Sequence, residues 1–412
     1  MDTINKKYQI YSIPILLVFS YIFGFILGED SSGGAYNDFI YHLSTAKEIE
    51  NNLSYFLINY SEFGNAHSPL VIIIFHLFNI VEYPIVIRIF SLLSSFLIPL
   101  LFFKCLELKF ENKNKSILIY LSCFIFVSPY FRSLAYWPGS ENLSIIFFLC
   151  SIFYYLKYTK NTSKDAELKY IFFIVFFIAC ASYIRPIYCI FSLFFFYKII
   201  LKNYNHKKLF YYIIFNLILS APAVYYVFLL KIHFFNLYIN SDTNFITKLG
   251  LSYLVFFFYL TPFILIYKNL LFKKSLKILF SSFLIFFLFF IFFKYQISTG
   301  GGFYYHLFLN FFKADELFFI ISLVSIISVN LFLNLENKSN LILLITFFLL
   351  EADSQFYQET FDPILFIAIF TLFELNFVKN LVNSKNLNKI NFILVYMSSF
   401  YFISLYKNLF LT

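Results

Sequence analysis

Acidic and histidine side chains that can transfer protons or bind metal ions gather in short polar stretches between long apolar runs. The stretch 29–67 is the richest in acidic residues, and it places Asp38 and His42 one helical turn apart. A carboxylate there can take a proton from an attacking hydroxyl group, which makes Asp38 a candidate general base. Two plainer interpretations stay open: Asp38 as the cap of a helix N-terminus, and His42 as an ordinary surface residue.

A second polar cluster, 128–142, contains the single tryptophan of the chain, Trp137, together with Arg132 and Glu141. Charges at a membrane boundary are costly unless they are solvated or have a function. A guanidinium group at this depth suits bidentate contact with a phosphate, and Glu141 is a second candidate catalytic carboxylate. The aromatic residues of the cluster are equally consistent with ordinary anchors at the membrane surface.

Further polar residues in the connections between apolar runs are candidates for binding a substrate. His67 precedes Ser68-Pro69, although a proline in the first turn of a helix explains that segment without any function. The polar segment 353–363 suits sugar hydroxyls, and a solvated turn explains it equally well. The complete set of substrate-binding candidates is His42, His67, Arg132, Arg185, His306, Tyr357 and Gln358. The sequence leaves open whether a divalent metal ion is held by Asp38, His42, Glu141 and His306.

The elements that position these residues are set by an extreme composition. The chain has 412 residues, of which 61% are hydrophobic and 13% charged. Soluble domains carry roughly 25% charged residues, so this chain lacks the polar coat that a water-soluble fold needs. The net charge of +9 does not indicate nucleic-acid binding, because the lysines cluster in short loops between apolar runs. Such clusters are typical of the cytoplasmic loops of membrane proteins.

The apolar runs predict an all-α, polytopic transmembrane bundle of about 13 or 14 helices, because only helices or closed barrels satisfy the backbone in lipid. Continuous runs without alternation exclude the barrel. Lysine-rich loops recur at every second connection, which predicts a cytoplasmic start and an external first loop. We expect one membrane domain over 1–412, with that loop at 29–67 and the bundle over 69–406.

One conflict remains in this topology. The apolar run 69–83 followed directly by 84–104 places one span too many before the next lysine-rich loop. Either 69–83 does not cross the membrane, or the positive-inside rule fails at this point. Residue patterns alone do not decide between the two.

An amphipathic helix is predicted at the start of the first loop. At 100° per residue, one face of the helix carries polar side chains and another carries Phe39, Leu43 and Ala46. Such a helix lies on the membrane with its apolar side down. The polar face, with Asp38, His42 and Thr45, is then expected at the level of the lipid headgroups.

Four features of residues 1–190 resemble the GT-C superfamily of membrane glycosyltransferases, which includes the protein O-mannosyltransferases and the lipid A aminoarabinose transferase. A first anchor is followed by an external loop with an acid, Asp38, and then by an interfacial helix. The chain re-enters the membrane through His67-Ser68-Pro69-Leu70. Ser128-Pro129 ends a later span, and Arg132 and Glu141 follow it.

The resemblance implies an enzyme with an outward-facing site, which we expect in a bacterial inner membrane, with the endoplasmic reticulum as the alternative. It would move a sugar from a polyprenyl-phosphate or polyprenyl-pyrophosphate carrier to a glycan, lipid or protein acceptor. No nucleic acid is expected among its partners. Asp38 would be the general base, and Arg132 or Arg185 the phosphate contact. Two departures are the Asp38-Phe39 pair, where the family often has Asp-Glu, and the lack of a folded domain after the spans.

Three other functions compete with this interpretation. A transporter or flippase of lipid-linked sugars would place functional charges within its spans. An O-antigen polymerase or ligase would have a large late external loop, whereas the longest loop here is the first. A membrane partner without catalytic activity would tolerate the loss of its acidic sites.

Overall fold

The computed structural model describes residues 2–49, 52–60, 68–111, 114–160, 164–201, 205–225, 244–269, 276–295, 300–350, 356–383 and 386–410. Every regular element in these ranges is helical, which confirms the all-α prediction. The chain divides into two compact units. The first comprises Met1–Phe234 and Leu381–Thr412, and the second comprises Phe235–Asn380.

The first unit contains α1 to α12 and the last helix of the chain. Several of its helices are shorter than three turns, and these lie between longer apolar ones. The helices are α1 (Asp2–Leu27), α2 (Ala35–Ile49), α3 (Leu53–Ile58), α4 (Pro69–Leu77), α5 (Pro84–Ser95), α6 (Leu97–Phe110), α7 (Lys115–Ser122), α8 (Pro129–Tyr136), α9 (Glu141–Lys160), α10 (Lys164–Ile184), α11 (Phe191–Phe196), α12 (His206–Val224) and α20 (Leu387–Phe410).

The second unit contains the helices between α12 and α20. They are α13 (Phe245–Ile266), α14 (Leu276–Phe292), α15 (Gly302–Tyr305), α16 (Asp315–Phe332), α17 (Lys338–Phe348), α18 (Ile364–Thr371) and α19 (Asn376–Asn383), the last of which continues into the first unit. A buried polar chain links three of them: the Tyr253 hydroxyl donates to Asn330 at 2.9 Å, and the Asn330 amide donates to Ser282 at 2.9 Å. Such bonds hold apolar helices in register where burial alone does not.

Seven helices among the described residues are long and apolar enough to cross a membrane, as expected of a multi-pass membrane protein. They are Pro84–Phe110, in which α5 and α6 form one span, and the helices α9, α10, α12, α13, α16 and α20. Two pairs of helices bent by 69° and 79° raise the number to nine if each pair is one span. The prediction of 13 or 14 covers the whole chain, and in its described part several further apolar segments are 10–17 residues long. At 1.5 Å per residue these are shorter than the roughly 30 Å hydrocarbon core.

The disputed run 69–83 does not cross the membrane as a helix. Ser68 caps α4, Pro69 occupies its first turn, and the helix ends at Leu77 after nine residues. Nine residues extend about 13 Å, less than half of the hydrocarbon core. The next span, Pro84–Phe110, has 27 residues and runs without interruption into the Lys-rich loop. The extra span at this point of the chain therefore disappears, which resolves the local conflict between the apolar runs and the next Lys-rich loop.

One end of the first unit, which we call the Lys-rich end, brings the lysine-bearing loops together. The Tyr11 hydroxyl, in the first half of α1, lies 3.2 Å from Ser116 Oγ at the start of α7. Lys160 at the end of α9 lies 3.7 Å from Glu111. The same clustering was predicted from the spacing of lysines along the sequence, and it is the physical counterpart of the positive-inside pattern.

The last helix runs from the Lys-rich end to the opposite end of the unit. Near its start, Asn391 accepts a hydrogen bond from Tyr120 at 2.7 Å. Near its finish, Asn408 donates to the carbonyl of Ser31, just beyond α1, at 2.8 Å. Helices α1 and α20 therefore run in the same direction.

Candidate functional site

The end opposite the Lys-rich end is organised around Glu29. Helix α1 closes with Gly28 at φ 67°, and two backbone bonds, Glu29 N to Gly24 O at 3.0 Å and Gly28 N to Phe25 O at 3.1 Å, form a Schellman motif. Glycine takes this left-handed conformation without the strain that a Cβ would cause. The motif turns the chain so that Glu29 points back into the unit, where its side chain is 6% exposed.

Arg132 is the partner of Glu29. Its Nε lies 2.8 Å from Glu29 Oε1 and its Nη2 lies 2.6 Å from Oε2, which gives a two-bond pair. Ser128 positions it, because the Ser128 hydroxyl accepts the Phe131 amide and caps α8. Charge-assisted pairs with this fork geometry are the strongest hydrogen-bonded contacts that an arginine makes with a carboxylate.

All five N–H donors of Arg132 have an acceptor. Besides Glu29, Nη2 donates to the Ser20 carbonyl at 2.9 Å, and Nη1 donates to the Ser20 hydroxyl at 3.3 Å and to the Phe126 carbonyl at 3.2 Å. A guanidinium has five such donors, so none remains for a phosphate in this conformation. Arg132 is 2% exposed. The sequence suggested a phosphate contact here, but the structure places Arg132 inside a closed ion pair.

The last helix completes the cluster of side chains around Glu29 and Arg132. Tyr401 donates to Glu29 Oε2 at 3.0 Å, and its ring centroid lies 4.6 Å from the Arg132 guanidinium carbon. One turn further on, Ser404 donates to the Ser31 carbonyl at 2.7 Å, and Asn408 donates to the same carbonyl at 2.8 Å. None of these three residues was among the site residues predicted from the sequence. Their i, i+3, i+7 spacing, a polar stripe on an apolar helix, is the signal that could have identified them.

Trp137 connects the cluster of side chains around Glu29 to helix α2 of the first loop. Its indole Nε1 donates to the Glu29 carbonyl at 3.1 Å, and its ring lies 4.7 Å from Tyr36 on α2. The guanidinium carbon of Arg88 lies 3.8 Å from the centroid of the same ring. The tryptophan that sequence analysis treated as an anchor therefore connects α2, α5 and the end of α1.

Asp30, rather than Asp38, holds the N-terminus of α2. Its Oδ1 accepts the Gly33 amide at 3.1 Å and its Oδ2 accepts the Tyr36 amide at 3.1 Å. Asp38 lies inside the first turn, where its side chain is exposed. The capping role that was one interpretation of Asp38 therefore belongs to Asp30.

The predicted faces of α2 need a correction. The apolar side, with Phe39, Ala46 and Ile49, packs on α3, α4 and α5, so it is covered by protein. His42 is fully buried on this side, with its ring 5.8 Å from that of Phe75. Asp38 and His42 thus have different surroundings although they are one turn apart, because the covered face of α2 is wide enough to include His42.

Glu141 and Arg185 form a second ion pair at the same end of the unit. Arg185 Nη1 lies 3.5 Å from Glu141 Oε1, with side chains 17% and 8% exposed. Glu141 begins α9 and Arg185 follows α10, and these two helices pack extensively against each other. A Cβ at Gly139 would lie 2.5 Å from Glu141 Oε2, so the glycine leaves room for this carboxylate.

None of the remaining candidates belongs to the described residues of the first unit. His67 falls outside the described residues. His306 contacts Asn310 at 2.7 Å, and Gln358 accepts the Phe303 amide at 2.8 Å; both belong to the second unit, as does Tyr357. Within the described ranges, no three histidine, cysteine, aspartate or glutamate side chains form a group that could hold a metal ion.

No family model, characterised protein or solved structure matches this chain. The groups that the site itself contains therefore define its possible chemistry. That site offers an exposed carboxylate at Asp38, a closed Glu29–Arg132 pair that fixes the surrounding helices, and a guanidinium at Arg88 lying over Trp137.

Proposed function

We propose that the chain is a membrane glycosyltransferase that moves a sugar from a polyprenyl-phosphate-linked donor to an acceptor hydroxyl. The observation that carries the proposal is the position of Asp38. It is an exposed carboxylate on a helix that Asp30 caps and Trp137 contacts, at the end of the unit opposite the lysines. By the positive-inside rule that end faces outward, which we place at the outer surface of a bacterial inner membrane.

The reaction needs a base and a stabilised leaving group. In the proposed step, Asp38 takes the proton of the acceptor hydroxyl, and the freed oxygen attacks the anomeric carbon with inversion. The bond from that carbon to the phosphate oxygen breaks, and its electron pair leaves with the polyprenyl phosphate. The solvent-exposed Asp38 then releases its proton to water.

The rigid surroundings support this role for α2. A catalytic group acts efficiently only when its helix is held at a fixed distance from the reacting atoms. Here α2 is held by its Asp30 cap, by the ring contacts of Tyr36 and Phe39 with Trp137, and by the packing of its covered face. We assign Glu141, in its pair with Arg185, to orienting the sugar.

The test is transfer by the purified protein in liposomes with a labelled polyprenyl-phosphate sugar and an acceptor mixture. We expect labelled sugar to leave the lipid, and Asp38→Asn to lower the rate by about 10²–10⁴-fold, the usual contribution of a general base. Glu48→Gln is the matched control, because it removes another exposed carboxylate of α2. Full transfer by Asp38→Asn would refute the assignment. Movement of intact donor between leaflets, without cleavage, would indicate a flippase instead.

A further inference from the structure

The chain contains three arginines, and two of them are committed to carboxylates. Arg132 pairs with Glu29 at 2.6 Å, and Arg185 pairs with Glu141 at 3.5 Å. The third, Arg88, forms no ion pair with an acidic side chain of the described residues. A half-buried guanidinium at a membrane boundary is costly unless a counter-charge is supplied.

The orientation of Arg88 is nevertheless well defined. Its Nε donates to the Tyr136 carbonyl at 2.8 Å, and its guanidinium carbon lies 3.8 Å from the Trp137 centroid and 5.2 Å from that of Phe25. Stacking on an aromatic face and a single backbone bond hold the plane of the group. Little side-chain entropy is then lost when a ligand binds to it.

The terminal nitrogens of Arg88 are the open part of the group. Nη1 and Nη2 have no hydrogen-bond acceptor within the described part of the chain, and neither is among its buried side-chain atoms that lack a partner, so both reach the surface. Two adjacent N–H groups at the end of a guanidinium match two oxygens of a phosphate. Arg88 therefore has the fork that Arg132 lacks.

Arg88 also lies at the depth where a lipid phosphate is found. It is the fifth residue of the span Pro84–Phe110, about 6 Å along the helix axis from its start. The other end of that span carries Lys109 and belongs to the Lys-rich end. A long side chain so close to a span end reaches the headgroup layer.

We propose that Arg88, stacked on Trp137, binds the phosphate of the polyprenyl carrier through Nη1 and Nη2. This rests on the proposed function, since it names the leaving-group contact of the same site. Trp137 contacts both Arg88 and Tyr36, which precedes Asp38 on α2. The same ring therefore links the phosphate contact to the helix that carries the general base.

The single tryptophan provides a direct probe. Purified protein in nanodiscs of a neutral lipid is titrated with polyprenyl phosphate while the Trp137 emission is recorded. We expect a saturable change that polyprenol, which lacks the phosphate, does not produce. Arg88→Gln should weaken binding by about 10–100-fold, the range for losing a charge-assisted pair of hydrogen bonds. Arg88→Lys should recover only part of it, because an ammonium lacks the planar fork.

Lys47→Gln, which removes an exposed cation of α2, is the control and should bind as the parent protein does. Thermal unfolding of each variant establishes that it is folded. Wild-type affinity of Arg88→Gln would overturn the inference, and so would an equal response to polyprenol. An equal response to phosphatidylglycerol would overturn the assignment to the carrier, since a bulk lipid headgroup would then be the ligand.

The two proposals fail separately. Binding that depends on Arg88, without any sugar transfer in liposomes, would refute the glycosyltransferase function and keep the phosphate site. Sugar transfer that is unchanged in Arg88→Gln would refute the phosphate site and keep the enzyme.

Discussion

Glu29 and Arg132 are 103 residues apart in the chain and form a two-bond ion pair with distances of 2.8 and 2.6 Å. Both side chains are almost fully buried, at 6% and 2% exposure. Removing two charges from water is offset only when they meet in good geometry with their other donors satisfied, as they are here. The pair joins the end of α1 to α8, and Tyr401 adds the last helix to it.

Breaking this pair from one side should destabilise the first unit strongly. Glu29→Gln leaves the Arg132 charge buried without a counter-ion, so we expect the free energy of unfolding to fall by about 3–5 kcal/mol. Chemical unfolding in detergent measures it. The control is Glu107→Gln, whose partners Lys104 and Lys115 are 58% and 62% exposed and whose loss should cost about 0–1 kcal/mol. The double variant Glu29→Gln with Arg132→Met should recover part of the lost free energy of unfolding. Equal losses for Glu29→Gln and Glu107→Gln would contradict the prediction.

Gly24→Ala tests the space around the pair. A Cβ at Gly24 would lie 2.3 Å from Glu29 Oε2 and 2.6 Å from Arg132 Nη2, so the carboxylate must move. We expect a lower unfolding temperature, although alanine is favoured over glycine by about 1 kcal/mol within a helix. Gly34→Ala is the control, because a Cβ added at this position would have no atom within 4 Å. A Gly24→Ala variant as stable as its parent would show that the pair is not held at this position.

The polar stripe of the last helix can be tested one hydroxyl at a time. Tyr401→Phe removes the bond to Glu29, and Ser404→Ala removes the bond to the Ser31 carbonyl. We expect each to lower the free energy of unfolding by about 0.5–1.5 kcal/mol, or more where a buried acceptor is left unpaired. Ser399→Ala should change it least, because within the described ranges the Ser399 hydroxyl bonds to Val395 of its own helix alone. A larger loss for Ser399→Ala would contradict the proposed stripe.

The direction of α1 and α20 predicts where the termini lie. Both helices run from the Lys-rich end to the end that contains Glu29, so the two termini should lie on opposite faces of the membrane. By the positive-inside rule, a C-terminal reporter should be accessible from outside and an N-terminal one from the cytoplasm. Protease protection of the two tags measures this. Protection of both tags on the same side would show that the helix directions are misassigned.

Much of the fold could be predicted from local pattern. The helical class, the apolar runs and the clustering of lysines at one end follow from composition and spacing, because a segment in lipid must satisfy its own backbone whatever its neighbours are. The number of spans could not be predicted so well. A break such as Asn79, in the left-handed region at φ 48°, separates α4 from Pro84, and only the structure shows that it ends a helix too short to cross.

The site was predictable only in its location. The sequence by itself determined that polar groups gather in the first loop and around 128–142, because charges are excluded from the apolar runs. Tertiary structure decided what each group does: Arg132 closes on Glu29, Asp30 caps α2, His42 is buried, and Arg88 keeps its terminal nitrogens open over Trp137. Ion pairs, stacking and burial depend on which side chains meet across a hundred or more residues, and no local pattern carries that information.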